Sequence, residues 1–230
     1  MSMFSIVIPL FNEAENISNL IDEISTSLEK YDDYEIILVN DFSTDKTTDI
    51  INTKKNKKIK LINNEKNYGQ SYSIHKGVKS SFNEIIVTLD GDGQNDPTDI
   101  PNLLDIFLSK NKIELVGGLR MNRKDNLIKV LSSKIANYIR QLLLNDGCLD
   151  TGCSLKVFKK DIFLSFPYFD GMHRFLPALF KGYGHNTIFI EVNHRKRKYG
   201  ISKYGTMNRL FKGIRDIIRI KKILKKKYNG

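Results

Sequence analysis

The stretch Ile86-Val87-Thr88-Leu89-Asp90-Gly91-Asp92-Gly93-Gln94-Asn95-Asp96-Pro97 decides how the chain is read. Ile86 to Asp90 reads as a buried strand, apolar up to its last position, where a carboxylate stands. Asp92 follows two residues on, and the glycines beside it let the backbone turn sharply or approach a ligand closely. Pro97 and Thr98 then open a helix. A strand ending in Asp-x-Asp sets two hard oxygen donors at its carboxyl end, where open α/β sheets bind their ligands. That pair suits Mg²⁺ or Mn²⁺, which take one or two carboxylates and fill the remaining positions with water and phosphate. The stretch therefore implies a divalent metal holding a diphosphate. An EF-hand would need Gly at its sixth position and an acid at its twelfth. Counted from Asp90 these hold Asn95 and Pro101, so that reading fails. A plain acidic turn is the bland alternative for an isolated Asp-Gly-Asp-Gly.

Outward from this stretch, strands and helices alternate. Phe4 to Leu10 is an apolar strand, followed by a turn at Pro9-Leu10-Phe11-Asn12-Glu13 and a helix from Ala14 to Leu28. In that helix Ile17, Leu20, Ile21, Ile24 and Leu28 recur at helical spacing. Glu35 to Val39 is a second strand, ending in Asn40-Asp41, and Ser43 is placed to cap a helix through Ile51. Lys60 to Asn63 gives a third strand, Gly69 to Ser80 a helix, Pro97 to Ser109 another, and Glu114 to Gly117 a fifth strand. Strands separated by helices of this length predict a mostly parallel sheet with helices on both faces. Glu13, Asp41, Asp90 and Asp92 then fall at strand ends on one edge of the sheet, where four acids line a site. No glycine-rich fingerprint follows the first strand and no Walker loop is present, which weighs against dehydrogenases and P-loop enzymes.

At 230 residues and 40% hydrophobic content the chain has room for one full α/β domain and a small appendage. Cys148 and Cys153 with four histidines make no zinc site, and they read as reduced thiols of a cytoplasmic protein. The first strand begins at once, so no signal peptide is expected. No run approaches the ~18 apolar residues of a spanning helix. Of the formal charge of +11, residues 194–227 contribute fourteen Lys or Arg against the single acid Asp216. A nearly neutral body with a basic end points to an anionic partner there. A basic cluster is often only a solvated face, and nucleic acid is the next reading, but no nucleic-acid-binding motif accompanies it.

Several motifs together resemble the family 2 glycosyltransferases of GT-A fold. They are Val7-Ile8-Pro9-Leu10-Phe11-Asn12-Glu13, Glu35 through Asp45, and Leu89-Asp90-Gly91-Asp92-Gly93-Gln94. Asn67-Tyr68-Gly69-Gln70, Gln94-Asn95-Asp96-Pro97, Met172 through Pro177, and Val192-Asn193-His194-Arg195 through Lys203-Tyr204-Gly205 resemble the polyprenyl-phosphate branch, such as dolichol-phosphate mannosyltransferases. The second motif departs from the family pattern, with Asn40 and Phe42 where an aspartate and a glycine usually stand. Many relatives carry C-terminal transmembrane helices, which this sequence lacks. The resemblance implies a nucleotide-sugar donor, a polyprenyl-phosphate acceptor, and one direct displacement with inversion at the anomeric carbon. It implies that Pro9, Phe11, Glu13 and Asp41 hold the nucleoside with Gln70 nearby, and that Asp90, Asp92 and Gln94 hold Mg²⁺ or Mn²⁺ on the diphosphate. Phe11 reads equally as a core aromatic and Pro9 as a strand terminator.

The basic residues bear on the acceptor. Arg120, Lys129 and Ser133 after the fifth strand, and Arg195, Arg197 and Lys203 after the strand from Thr187 to Asn193, offer cations and a hydroxyl to a phosphate. A phosphomonoester, with a second pKa near ~6, is largely dianionic at neutral pH and needs positioning more than a base. A hydroxyl acceptor would call for a carboxylate base. Asp150 reads as that base or as the group that orients a basic ligand, so Asp92, Asp150 and Arg195 are the catalytic candidates. His173-Arg174 reads either as a helix cap or as part of the site.

Residues 1–205 read as the GT-A domain and residues 206–230 as a basic amphipathic helix. Met207, Leu210, Phe211, Ile214, Ile217, Ile218, Ile223 and Leu224 form its apolar positions. It reads as an interfacial anchor on an anionic membrane, or as a helix docked on the body, on a second subunit or on a small membrane partner. Leu127 to Leu144 reads as a second amphipathic helix, with the stripe Leu131, Ile135, Tyr138 and Leu142. Taken together, these features place the protein peripherally on the cytoplasmic membrane face. No nucleic-acid partner is expected. A sugar-nucleotide-binding scaffold is the non-catalytic alternative.

Overall fold

A computed structural model describes residues 3–54, 56–110, 112–120, 140–197 and 206–228. Strands β1 (Phe4–Leu10), β2 (Tyr34–Asn40) and β3 (Ile59–Asn63) alternate with helices α1 (Ala14–Ser27), α2 (Thr47–Thr53) and α3 (Gln70–Lys79). Then come β4 (Ile85–Thr88), α4 (Ile100–Ser109) entered through a 3-10 turn at Pro97–Asp99, and β5 (Ile113–Arg120). The second half holds β6 (Lys156–Lys159), α5 (Lys160–Ser165), α6 (Leu176–Gly182), β7 (Asn186–Val192) and α7 (Thr206–Tyr228).

The strands form one seven-stranded sheet in the order β3-β2-β1-β4-β6-β5-β7. β1 pairs in parallel with both β2 and β4, so the strand order reverses at β1. The crevice outside the carboxyl ends of β1 and β4 is therefore the switch point where such sheets take their ligands. The expectation of a mostly parallel sheet holds, with one strand it did not include. β6 runs antiparallel between β4 and β5. Its four residues Lys-Val-Phe-Lys carry no alternation long enough to be read as a strand.

The period-2 geometry of the strands divides the core into two layers. Phe4, Ile6 and Ile8 of β1 join Ile36 and Leu38 of β2 under α1 and α4. Val7, Ile37 and Val39 face the other layer, with α3, α5, α6 and part of α7. α3 lies so close to the sheet that a Cβ on Gly77 would stand 2.5 Å from Val7 Cγ1. The sequence left two readings open for α7, and its described side chains favour docking. Ile220 is fully buried, and Ile217, Ile223 and Leu224 pack beside it in the second layer, while Ile218 is exposed. Of the second amphipathic stripe, Leu131, Ile135 and Tyr138 lie outside the described residues; residues 140–144 are helical, and Leu142 is exposed.

Ser43 does not cap α2, which begins at Thr47. The Ser43 hydroxyl accepts from the Asn12 backbone N–H at 2.9 Å, the N-cap position is Lys46, and Asp45 Oδ1 accepts from the Thr47 N–H at 3.0 Å. Two motif turns are thereby tied together rather than one helix being lengthened.

Candidate functional site

The turn after β1 and the turn after β2 interlock. Asn12, in the left-handed region at φ 56°, accepts from the Thr44 N–H at 2.8 Å, the Glu13 N–H donates to Thr47 Oγ1, and the Ala14 N–H donates to Asp45. Glu13 itself accepts from Asn16 Nδ2 at 2.9 Å, which fixes its carboxylate over the start of α1. Pro9 and Phe11 flank this turn and are half-buried. Asp41 is buried and takes three donors: Asn64 Nδ2 at 2.8 Å, the Tyr68 N–H at 2.9 Å and the Gly69 N–H at 2.8 Å. Expected at the nucleoside, Asp41 therefore also pins the loop that leads into α3. Gly69, at φ 89°, supplies the left-handed conformation this requires.

Across the switch point lies the Asp-Gly-Asp turn. A Cβ on Gly91 would come within 2.3 Å of Leu10 Cδ2, so glycine lets the turn seat against the end of β1 without displacing that side chain. Asp90 accepts from Gln70 Nε2 at 2.7 Å, and its own N–H donates to Asn95 Oδ1. Burial and the neighbouring charge of Asp92 push the Asp90 carboxyl up to about 6, against the pull of Ser154, Lys156 and Arg120. Asp92 is only 7% exposed; its Oδ1 accepts from the Gln94 N–H at 3.0 Å and its Oδ2 from Arg197 Nη2. Gln70, expected near the nucleoside, thus sits on the acidic pair. The side-chain amide of Gln94 is directed at the carbonyl of Arg195 (3.4 Å) and at His194 Nε2 (3.5 Å), not at the two carboxylates.

Two carboxylates crowded in this way, one with its charged form disfavoured, are the donor chemistry that a hard divalent cation relieves. Among the described residues no group of three or more His, Cys, Asp or Glu surrounds them, so water and phosphate would complete a shell there.

The expected acceptor residues do not share one place. Arg120 forms a fork with Asp150, Nε to Oδ2 at 2.6 Å and Nη2 to Oδ1 at 2.8 Å. Burial opposes the charge of Arg120, but the Asp150 carboxylate outweighs it and raises the guanidinium pKa. Of the two roles left open for Asp150, a base or the group that orients a basic acceptor ligand, the geometry itself shows only the pairing with Arg120. Arg195, expected on the acceptor phosphate, is committed elsewhere. It grips Asp96 in two bonds (3.1 and 2.8 Å) and Glu23 in a third (2.5 Å), strapping the chain after β7 to α1 and the start of α4. Arg197 reaches the acidic pair itself. Lys129, Ser133 and Lys203 lie outside the described residues.

His173 and Arg174 serve as a joint. His173 Nδ1 and Ser71 Oγ are 2.6 Å apart in a hydrogen bond at the start of α3, and Arg174 pairs with the fully buried Asp216 of α7 at 2.8 Å. Lys156 was missed from sequence. It is buried on β6, donates to the Cys153 carbonyl and lends positive charge to Asp90. Only the antiparallel strand brings it there, so no local signal marked it.

A family model described as glycosyl transferase family 2 matches residues 5–165. A dodecaprenyl-phosphate galacturonate synthase of Rhizobium johnstonii is 33% identical over 225 residues, covering 94% of this chain and 65% of the relative. An undecaprenyl-phosphate 4-deoxy-4-formamido-L-arabinose transferase of Yersinia pestis is 34% identical over 218 residues, covering 93% and 66%. The chain thus spans about two thirds of the length of these relatives. Among solved structures, glucosyl-3-phosphoglycerate synthase of Mycobacterium tuberculosis with Mn²⁺ and UDP aligns at TM-score 0.72 and 18% identity, over 95% of this chain and 78% of that one. Mannosyl-3-phosphoglycerate synthase of Rubrobacter xylanophilus aligns at TM-score 0.74 and 14% identity, over 100% and 76%. At these identities the solved structures speak for the GT-A fold alone.

Proposed function

The chain belongs to glycosyl transferase family 2, and on that premise we propose that it transfers a hexose-type sugar from a nucleoside diphosphate to a polyprenyl phosphate. The observation that carries this reading is the pair Asp90 and Asp92, held at the β1/β4 switch point by Gln70 and Asn95 with Arg197 and Lys156 close by. A divalent Mg²⁺ or Mn²⁺ on this pair would offset the charge that gathers on the departing diphosphate. The support for a metal is the donor chemistry of the pair, together with the Mn²⁺ named for a structural neighbour.

The chain's own groups position the rest. Arg120, locked by Asp150, presents a guanidinium edge to a phosphate, which it recognises by charge and planar geometry. A phosphate oxygen would attack the anomeric carbon as the bond to the diphosphate breaks on the opposite face, inverting the centre. No proton need be removed from a dianionic phosphate. A glycan or lipid hydroxyl acceptor, the second reading, needs a base, and the carboxylate expected for that task is paired with arginine. The polyprenyl-phosphate relatives point the same way.

For location, we propose peripheral attachment to the cytoplasmic membrane face. No helix among the described residues is long and apolar enough to cross a membrane. Arg215, Lys221, Lys222 and Lys225 are exposed on α7 and supply a cationic surface for anionic headgroups.

The test is to incubate the protein with UDP- and GDP-sugars, Mn²⁺ and a short polyprenyl phosphate, reading the lipid product by mass. A glycosylated polyprenyl phosphate is expected, and Asp92→Ala should lose at least about a hundredfold in turnover. Transfer that persists undiminished in Asp92→Ala, or that occurs only to hydroxyl acceptors, would overturn the reading.

A further inference from the structure

The chain that leaves β7 is strapped across the Asp-Gly-Asp turn. Asn193 donates through its backbone N–H and its side chain to Asp99 (2.7 and 3.0 Å), and His194 bridges to Asn95. The Arg195 N–H donates to the Gln94 carbonyl at 2.9 Å, and its guanidinium clamps Asp96 and Glu23. Two residues on, Arg197 Nη2 donates to Asp92 Oδ2. The strap thereby delivers a cation to the group proposed to hold the metal.

That placement has a direct electrostatic consequence. Asp90 and Asp92 are adjacent acids in a poorly solvated crevice, and such a pair requires a counter-charge. A guanidinium on Asp92 Oδ2 repels a divalent cation brought to the same carboxylate and competes with it for lone pairs. A diphosphate changes the balance by offering Arg197 a bidentate anionic partner beside the metal. Arg197 is about a quarter exposed and lies two residues beyond the Arg195 clamp, so the clamp itself does not include its side chain.

The geometry points to Arg197 as an internal cation that guards the metal site until the donor arrives. While the site lacks nucleotide, Arg197 neutralises Asp92 and opposes metal alone; metal and diphosphate together draw it from Asp92 onto phosphate. Metal and nucleotide binding are then coupled through this one side chain, and the coupling is reciprocal. This rests on the metal–diphosphate reading proposed above.

The experiment is calorimetric titration of Mn²⁺ into the full chain and into Arg197→Gln, with and without UDP or GDP, the folded state of each being checked by thermal melting. Without nucleotide, R197Q should bind Mn²⁺ about threefold to tenfold more tightly than wild type, since a nearby like charge has been removed. The tightening of Mn²⁺ by nucleotide should be correspondingly smaller in R197Q. Equal or weaker Mn²⁺ binding by R197Q without nucleotide, or an undiminished tightening with it, overturns the guard. Wild-type protein that takes up no Mn²⁺ in either condition overturns the metal site itself, a result distinct from the first.

Discussion

At the scale of single residues, most side chains that sequence marked as ligands also have a structural partner. Asp41 holds the loop before α3, Gln70 holds Asp90, and Arg195 holds the strap. The Arg120–Asp150 fork is the clearest division of labour. A charge-assisted bidentate pair fixes the guanidinium plane before a phosphate arrives, so little rotamer freedom remains to be lost on binding. Asp150→Asn keeps the size of the side chain but removes the charge. It should raise the acceptor KM roughly tenfold, leave the donor KM unchanged and lower kcat little. Steady-state kinetics with both substrates varied would check this. A fall in kcat of about a hundredfold or more at unchanged acceptor KM would instead mark Asp150 as a general base.

At the scale of elements, glycines show where two pieces of backbone must come together. Gly171 precedes the Met172–Arg174 turn at φ 98°, in the left-handed region, and a Cβ there would stand 2.8 Å from Asp216 Oδ2 and 3.1 Å from Arg174 Nη2. This glycine therefore lets α7 seat its buried acid beside the turn, and the Gly171 N–H donates to Ser71 Oγ at 2.9 Å. Gly171→Ala combines an unfavourable φ with a clash, and should destabilise the fold by about 1–3 kcal/mol. A lowering of Tm by roughly 2–4 °C per kcal/mol is expected from calorimetry. A variant that melts with wild type would show that α7 does not depend on this contact.

At the scale of the whole molecule, the basic end is divided between core and surface. Ile217, Ile220, Ile223 and Leu224 are spent on the second core layer, so α7 does not have these side chains available for insertion into a bilayer. Deleting 207–230 would uncover that layer, and the deletion confounds loss of attachment with loss of packing. Replacing the exposed Arg215, Lys221, Lys222 and Lys225 with Gln isolates the charge. Wild type should float with anionic vesicles at low salt and detach as salt rises, because surface attraction is screened within about 8–10 Å at physiological ionic strength. The fourfold variant should float markedly less, and unchanged flotation would refute the electrostatic attachment.

Local pattern carried the sheet and the acidic edge. Strand hydrophobicity, helix spacing and turn glycines are properties of neighbouring residues, and they sufficed to place Glu13, Asp41, Asp90 and Asp92 at strand ends on one edge. Tertiary structure alone decided which partners those groups keep. β6 pairs antiparallel with β4 and brings the buried Lys156 near Asp90. Arg195 finds Glu23 across 172 residues of sequence, and Arg197 finds Asp92 across 105. The physical reason is that charge attraction depends on distance in space and on burial, neither of which any run of adjacent residues encodes. For the same reason the sequence showed α7 to be amphipathic and basic, while only packing decided that part of its apolar stripe faces the protein.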